Sequence, residues 1–248
     1  SPKCPALFAG DERFEIVEEK LRGQDLLDQI GSFDGLIVRS GCKVPAEVLA
    51  KATKLKAIVR AGVGVDNIDV EEATRKGVLV MNTPGGNTNA AAEHTLAMML
   101  SLTRNIPAAD ATVRRGGWRS KKFEGNELKG KVLGVVGLGK IGRTVAERAR
   151  AFEMTLIGFD PFLTEEAAAE LGVKLCGLDE LFAQSDFVTL HVPLTPKTKN
   201  LINEEVLKTM KPGVRIVNCA RGGIIDETAL AAALQEGRIA GAALDVYE

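Results

Sequence analysis

Short apolar runs alternate along this chain with stretches in which apolar residues recur at three- and four-residue spacing. The runs fall at 35–40, 56–61 and 78–83, and again at 131–136, 155–160, 186–192, 214–220 and 241–247. Between them the spacing predicts helices over 45–54 and 69–76, and a long helix from Thr88 to about Thr103. Further helices are predicted over 141–152, 165–171, 178–183, 203–210 and 226–236. Strands and helices taking turns in this way argue for parallel sheets joined by crossover helices. The strand-like runs show little polar alternation, the pattern of strands covered on both faces.

A turn-rich segment, Asn82-Thr83-Pro84-Gly85-Gly86-Asn87, interrupts the alternation. It suggests a first lobe over 1–84, a linker helix and loop over 85–130, and a second lobe over 131–248. Residues 114–126 are polar, basic and glycine-bearing and hold the only tryptophan, Trp118, so they read as an exposed loop. Two α/β lobes with a cleft between them are the expected architecture, with ligands at the carboxyl ends of the strands. The 248 residues carry a net charge of −1, with 45% hydrophobic and 26% charged residues. No basic excess points to nucleic acid, and no apolar stretch reaches the roughly 18 residues of a membrane span. Cys4, Cys42, Cys176 and Cys219 lack paired spacing. That argues against a zinc or other metal site and for a reducing compartment, so the cytoplasm is the expected location.

Chemistry enters at Gly137, Gly139 and Gly142, which fall in the spacing Gly-x-Gly-x-x-Gly at the end of the run Val132-Leu133-Gly134-Val135-Val136. A helical pattern with Ile141, Val145, Ala149 and Phe152 on one face follows at once. Eighteen residues beyond Gly142 the next run ends in Asp160. Strand, glycine turn, helix, strand and acid is the order of a Rossmann dinucleotide site: a tight turn, backbone close to a pyrophosphate, and a helix start as anion site. Asp160 would accept hydrogen bonds from the adenosine ribose and repel a 2′-phosphate, favouring NAD over NADP. The plainer reading of the same residue is a turn made with Pro161, and the two are compatible.

Other candidates sit at strand ends. Arg221, in Asn218-Cys219-Ala220-Arg221-Gly222-Gly223, is suited to gripping a carboxylate through two parallel hydrogen bonds; alternatively it is a surface arginine. Arg39-Ser40 and Arg60-Ala61-Gly62-Val63-Gly64 place arginines beside tight turns, the second with amides that could form an anion nest. They imply an anionic substrate, against the plain alternative of isolated surface arginines. The only histidines are His94, expected to pack between lobes, and His191, expected to be a structural strand-end residue. Neither has an acidic neighbour in sequence, and neither is assigned catalysis.

Taken together, Gly137–Gly142 with Asp160, the segment Arg60 to Asn67, Asn82-Thr83-Pro84 and Asn218–Gly223 resemble the D-isomer-specific 2-hydroxyacid dehydrogenases. The resemblance implies two doubly wound parallel-sheet lobes, a Rossmann NAD-binding domain and a smaller flavodoxin-like substrate domain. Ile37-Val38-Arg39-Ser40, Ala73-Thr74-Arg75-Lys76-Gly77 and Lys121-Lys122-Phe123 are similar to the member that acts on 3-phosphoglycerate. The implied reaction is NAD-dependent oxidation at C2 to 3-phosphohydroxypyruvate, the first step of serine biosynthesis. By position, Lys140 and Ile141 would face the pyrophosphate and Asp160 the ribose, while Val63, Val192, Cys219, Ala220 and Asp245 would line the cofactor. Arg221 would be the catalytic arginine, and Arg39, Ser40, Arg60 and Gly62 would hold the substrate's anionic groups. Ser120 stands where this member commonly has an arginine, with Arg119 as a substitute.

The family's acid/base histidine and its partner glutamate would both lie beyond Glu248, and its first strand before Ser1. The expectation is therefore an internal fragment trimmed at both ends, inactive or nearly so alone. Alternatives are another D-2-hydroxyacid dehydrogenase, acting on glyoxylate, hydroxypyruvate or D-lactate, and a non-enzymatic relative that senses NAD. A homo-oligomer, dimer or tetramer, is implied by resemblance.

Overall fold

The computed structural model describes residues 3–118 and 123–248, and its contacts divide the chain into two compact units, Ser1–Gly86 and Asn87–Glu248. In the first unit β1 (Gly35–Val38), β2 (Ala57–Arg60) and β3 (Leu79–Asn82) form a parallel sheet in the order β1-β2-β3. The unit's helices are α1 (Lys3–Ala6), α2 (Gly23–Gln29), α3 (Ala46–Lys51) and α4 (Val70–Arg75). Asp69 opens α4 by accepting the Glu72 N–H at 2.9 Å, one of the amides a helix start leaves unpaired.

Register pairs Leu36 with Ile58 and Ile58 with Val80, so these residues share a face. Leu26, Ile30, Val48, Leu49 and Ala73 pack on that face in a single buried cluster. The opposite face carries Ile37, Leu79 and Met81, which are 51%, 57% and 40% exposed. Cover on both faces, expected from the apolar runs, therefore fails for this sheet among the described residues. Its helices supply apolar side chains to one side.

The second unit holds β4 (Val132–Val136), β5 (Thr155–Phe159), β6 (Val173–Leu175), β7 (Phe187–Leu190), β8 (Arg215–Asn218) and β9 (Gly241–Leu244). All are parallel, in the order β6-β5-β4-β7-β8-β9. Its helices are α5 (Thr88–Thr103), α6 (Ile106–Arg114), α7 (Lys140–Ala151), α8 (Glu165–Glu170), α9 (Leu178–Gln184), α10 (Glu204–Thr209) and α11 (Glu227–Gln235). On one face Ala92, Leu96 and Met99 of α5, Val145 and Ala149 of α7 and Ala168 of α8 pack with Leu133 and Val135. On the other, Leu181, Leu207, Leu230 and Ala233 pack with Val136, Val188 and Leu190. Burial on both faces explains the unbroken apolar strands, each large side chain contributing roughly 1.5–3 kcal/mol.

The helix from Thr88 packs on α7, β8 and β9 and belongs to the second unit. Four of these elements do not show in the apolar spacing: α1, α2, the three-residue strand β6, and α6. Asn105 opens α6 at φ 55°, and a proline falls in its first turn, where the missing amide costs no helical bond. Arg114 closes that helix rather than opening a loop, and Trp118 is 78% exposed. Arg119, Ser120, Lys121 and Lys122 lie outside the described residues.

Candidate functional site

In the second unit the register sets Val136 beside Phe159 and Leu190, Leu190 beside Asn218, and Asn218 beside Leu244. The next residue of each strand therefore falls on one edge of the sheet: Gly137, Asp160, His191, Cys219 and Asp245. Strand order reverses between β4 and β7, so this carboxyl edge straddles the point where an open α/β sheet leaves a ligand crevice.

The glycines of the turn do different jobs. Gly137 adopts φ 92°, and a Cβ there would come within 2.7 Å of the His191 carbonyl oxygen. A Cβ at Gly142 would overlap the Gly137 carbonyl. At Gly139 nothing lies within 4 Å of the Cβ position, so the protein's own packing does not require glycine there. Gly139 caps α7 without a side chain, and the Arg143 N–H, bonded to the Gly139 carbonyl at 3.0 Å, makes the first bond to that cap. The amides of Lys140, Ile141 and Gly142 precede that bond and carry the positive end of the helix dipole. An amide cradle with one open side fits a dinucleotide pyrophosphate, with Gly139, Lys140 and Ile141 as the residues that would hold it.

Asp160 is already engaged with this turn. Its Oδ2 accepts the Leu138 N–H at 2.8 Å and its Oδ1 accepts the Phe162 N–H at 2.9 Å. The Asp-Pro turn is therefore formed, and each oxygen keeps a lone pair for ribose hydroxyls. Arg143 of α7 donates from Nε to the Leu138 carbonyl at 2.8 Å. Sequence reading did not mark Arg143; its place one residue beyond the glycine motif is the only sequence signal.

Across the strand reversal, His191 Nε2 lies 3.0 Å from the buried Thr189 hydroxyl, and burial pushes its imidazole down to about 4. It is a neutral structural histidine beneath the turn, with Val192 beside Gly137. Asn218, 2% exposed, shapes the next loop: its Nδ2 donates to the Arg221 carbonyl at 2.9 Å and its Oδ1 accepts the Ala220 N–H at 3.0 Å. Through that clamp the partly buried Cys219, Ala220 and Arg221 take fixed backbone positions, and Arg221 Nη1 donates to the Ala220 carbonyl at 2.7 Å. Burial pushes the Cys219 thiol up, the Thr95 hydroxyl works against this, and the Asp245 charge adds to it, so the thiol stays neutral. The Asp245 N–H is held by the Asn218 carbonyl at 3.0 Å, and its carboxylate lies 3.2 Å from His94 Nε2. The His94 side chain is 47% exposed and meets a carboxylate of its own unit. Its partner is distant in sequence, which is why no acidic neighbour was visible.

In the first unit Val38, Arg60 and Asn82 are register neighbours, so Arg39-Ser40, Ala61-Gly62 and Thr83 share that sheet's carboxyl edge. Arg39 and Ser40 are exposed. The Arg60 guanidinium lies across Gly62 in the space a Cβ would take, and its Nε is buried without a hydrogen-bond partner. Such an orphaned charged donor fits an anion site. Two asparagines of the resemblance motifs, given no role from sequence, hold the loops: Asn82 Nδ2 donates to the Val63 carbonyl at 2.6 Å, and Asn67 Nδ2 to the Cys42 carbonyl at 2.6 Å.

A family profile described as the D-isomer specific 2-hydroxyacid dehydrogenase NAD binding domain matches residues 96–248. The chain belongs to this family. It is 53% identical over 234 residues to a D-3-phosphoglycerate dehydrogenase of Bacillus subtilis, covering 94% of this chain and 44% of that protein. It is 54% identical over 229 residues to the enzyme of the same name from Methanocaldococcus jannaschii, covering 92% of this chain and again 44% of the relative. The chain thus spans about half the length of the curated relatives it matches. Among solved structures, a D-lactate dehydrogenase from Aquifex aeolicus complexed with NAD and lactic acid superposes with a TM-score of 0.88 at 32% identity, covering all of this chain and 75% of that one. The Rossmann assignment of the second unit and NAD as the family's cofactor follow.

Proposed function

We propose that this chain carries the NAD-binding and part of the substrate-binding machinery of a D-3-phosphoglycerate dehydrogenase. In this reading the protein oxidises 3-phosphoglycerate at C2 to 3-phosphohydroxypyruvate at the head of serine biosynthesis. The observation that carries the reading is the aligned carboxyl edge Gly137–Asp160–His191–Cys219–Asp245, set beside identities of 53% and 54% to proteins of that name.

NAD supplies the hydride acceptor for C2; the chain's residues supply grip and orientation. The amides of Gly139, Lys140 and Ile141 hold the pyrophosphate. Asp160 takes the ribose hydroxyls and repels a 2′-phosphate, so NADP is disfavoured. Val63, Val192, Cys219, Ala220 and Asp245 line the cofactor. Arg221 grips the substrate carboxylate and the C2 oxygen, and steadies the developing ketone by hydrogen bonding. Arg39, Ser40, Arg60 and Gly62 take the remaining anionic groups, the orphaned Arg60 Nε being the strongest support for a bound anion.

Oxidation releases the C2 hydroxyl proton, which needs a base with a pKa near the working pH. His191 at about 4 is too weak, and its ring is already beside Thr189. That step is therefore not assigned to His191. The same reading carries a homo-oligomer in the cytoplasm; among the described residues no helix is long and apolar enough to cross a membrane.

Steady-state kinetics across 3-phosphoglycerate, D-lactate and glyoxylate/hydroxypyruvate, with NAD and NADP, test the reading. The expected result is the highest kcat/KM with the phosphorylated substrate and NAD. Equal kcat/KM across the acids would leave the dinucleotide site standing and remove the substrate.

A further inference from the structure

One turn of α5 faces two residues of the carboxyl edge. His94 Nε2 lies 3.2 Å from Asp245 Oδ1, and the next residue, the fully buried Thr95, faces the Cys219 thiol. The helix is itself fixed: Ala92, Thr95, Leu96 and Met99 are buried, and it packs on α7, β8 and β9.

The dinucleotide reading given above, on which this inference rests, distributes the cofactor along the edge. The glycine turn on β4 takes the pyrophosphate and Asp160 on β5 the adenosine ribose. The second nucleotide must then run towards the ends of β7, β8 and β9. On that side Asp245 is the carboxylate of the row. A nicotinamide ring presents its carboxamide NH2 as a donor there, and a carboxylate oxygen is its natural acceptor.

The Asp245 side chain is 51% exposed, so alone it would sample several rotamers and lose that freedom on binding. The imidazole, carried on a packed helix, removes that freedom in advance. With Oδ1 turned to the ring, Oδ2 is left for a ligand. We propose that His94 is a positioning residue for the cofactor, holding the Asp245 carboxylate in the orientation that accepts the carboxamide of the nicotinamide ring. Stability gives the pair little reason to exist, because half-exposed ion pairs add little to folding.

The test is calorimetric titration of the purified protein and its His94→Ala, His94→Gln, Asp245→Asn and doubly substituted variants. Three ligands serve as probes: NAD, ADP-ribose, which lacks the nicotinamide, and nicotinic acid adenine dinucleotide, which carries a carboxylate in place of the carboxamide. His94→Ala should weaken NAD about fivefold and leave ADP-ribose within about twofold. The loss should vanish in the Asp245→Asn background and be partly rescued by His94→Gln, whose amide can still donate to Oδ1. With nicotinic acid adenine dinucleotide, already repelled by Asp245, the His94→Ala penalty should be absent. Equal losses for NAD and ADP-ribose, or losses that simply add in the double variant, would overturn the positioning role. Unsubstituted protein that binds neither NAD nor ADP-ribose would overturn the dinucleotide reading instead, and this inference with it. Thermal midpoints of all variants separate these outcomes from misfolding.

Discussion

The Asp160 carboxylate is hydrogen-bonded to the backbone of Leu138, Oδ2 accepting that N–H at 2.8 Å, so the acid at the end of β5 and the glycine turn at the end of β4 are one unit. Leu138 is 1% exposed, and no water can replace the lost acceptor cheaply. Asp160→Ala should therefore do two things at once. It removes the ribose acceptor, weakening NAD by about 10–100-fold, and it leaves a buried donor unpaired, at a cost of about 1–3 kcal/mol in stability. Titration with NAD and urea unfolding measure the two effects separately. NAD affinity equal to the parent's would remove the ribose role.

Arg143 holds the next peptide of the same turn, donating to the Leu138 carbonyl at 2.8 Å. An aliphatic replacement such as Arg143→Met keeps much of the stem packing and loses the bond. The turn should then be less fixed, with NAD and ADP-ribose both weakened several-fold and adenosine unaffected, since adenosine carries no pyrophosphate. Competitive binding against a fluorescent nucleotide would show the pattern, and a uniform loss across all three ligands would contradict it.

Two glycines of the turn should separate folding from binding. At Gly142 an alanine Cβ would run into the Gly137 carbonyl, backbone against backbone, so Gly142→Ala should cost about 2–3 kcal/mol and lower the thermal midpoint. At Gly139 the Cβ position is open and the backbone, at φ −67°, suits any residue. Gly139→Ala should fold normally and lose NAD affinity by tenfold or more, because the methyl group occupies the space the pyrophosphate needs. A Gly139→Ala protein with normal NAD affinity would show that the ligand approaches elsewhere.

Most of the second unit is legible in the sequence because its strands are continuous apolar runs and its site lies at the carboxyl ends of those runs, one residue past each strand. Gly137, Asp160, Cys219 and Asp245 are brought to one edge by register alone. What sequence does not reveal depends on contacts between distant residues. His94 meets Asp245, and Asn218 closes its own loop through side-chain bonds that no periodicity encodes. Strand β6 is three residues long and pairs with β5 alone, too short for a pattern to develop. In the first unit the runs look doubly covered, because Ile37, Leu79 and Met81 are apolar whether or not anything packs on them.

His191 makes stability depend on pH in a range where few other groups titrate. Burial depresses its imidazole from 6.5 to about 4, so the folded state keeps it neutral while the unfolded chain takes up a proton near 6.5. Between those values the unfolded state binds more protons, and stability falls as pH falls. The contribution is fully present above the unfolded value and is lost progressively towards the folded one. From about pH 7 to about pH 5.5 the loss should be near 1 kcal/mol, ahead of the carboxylates. Asp186, just before β7, accepts hydrogen bonds from the Val132 N–H at 2.8 Å and from Lys211 Nζ at 2.7 Å. Those bonds and the lysine charge outweigh burial and hold it below its ordinary value, so its contribution is lost only at lower pH. Urea unfolding of the parent and of His191→Gln at the two pH values checks the assignment. The variant, with nothing to protonate at 191, should lose about 1 kcal/mol less over the interval. Identical slopes would mean that the imidazole is free to charge in the folded state, and that the Thr189 contact beneath the turn does not hold it neutral.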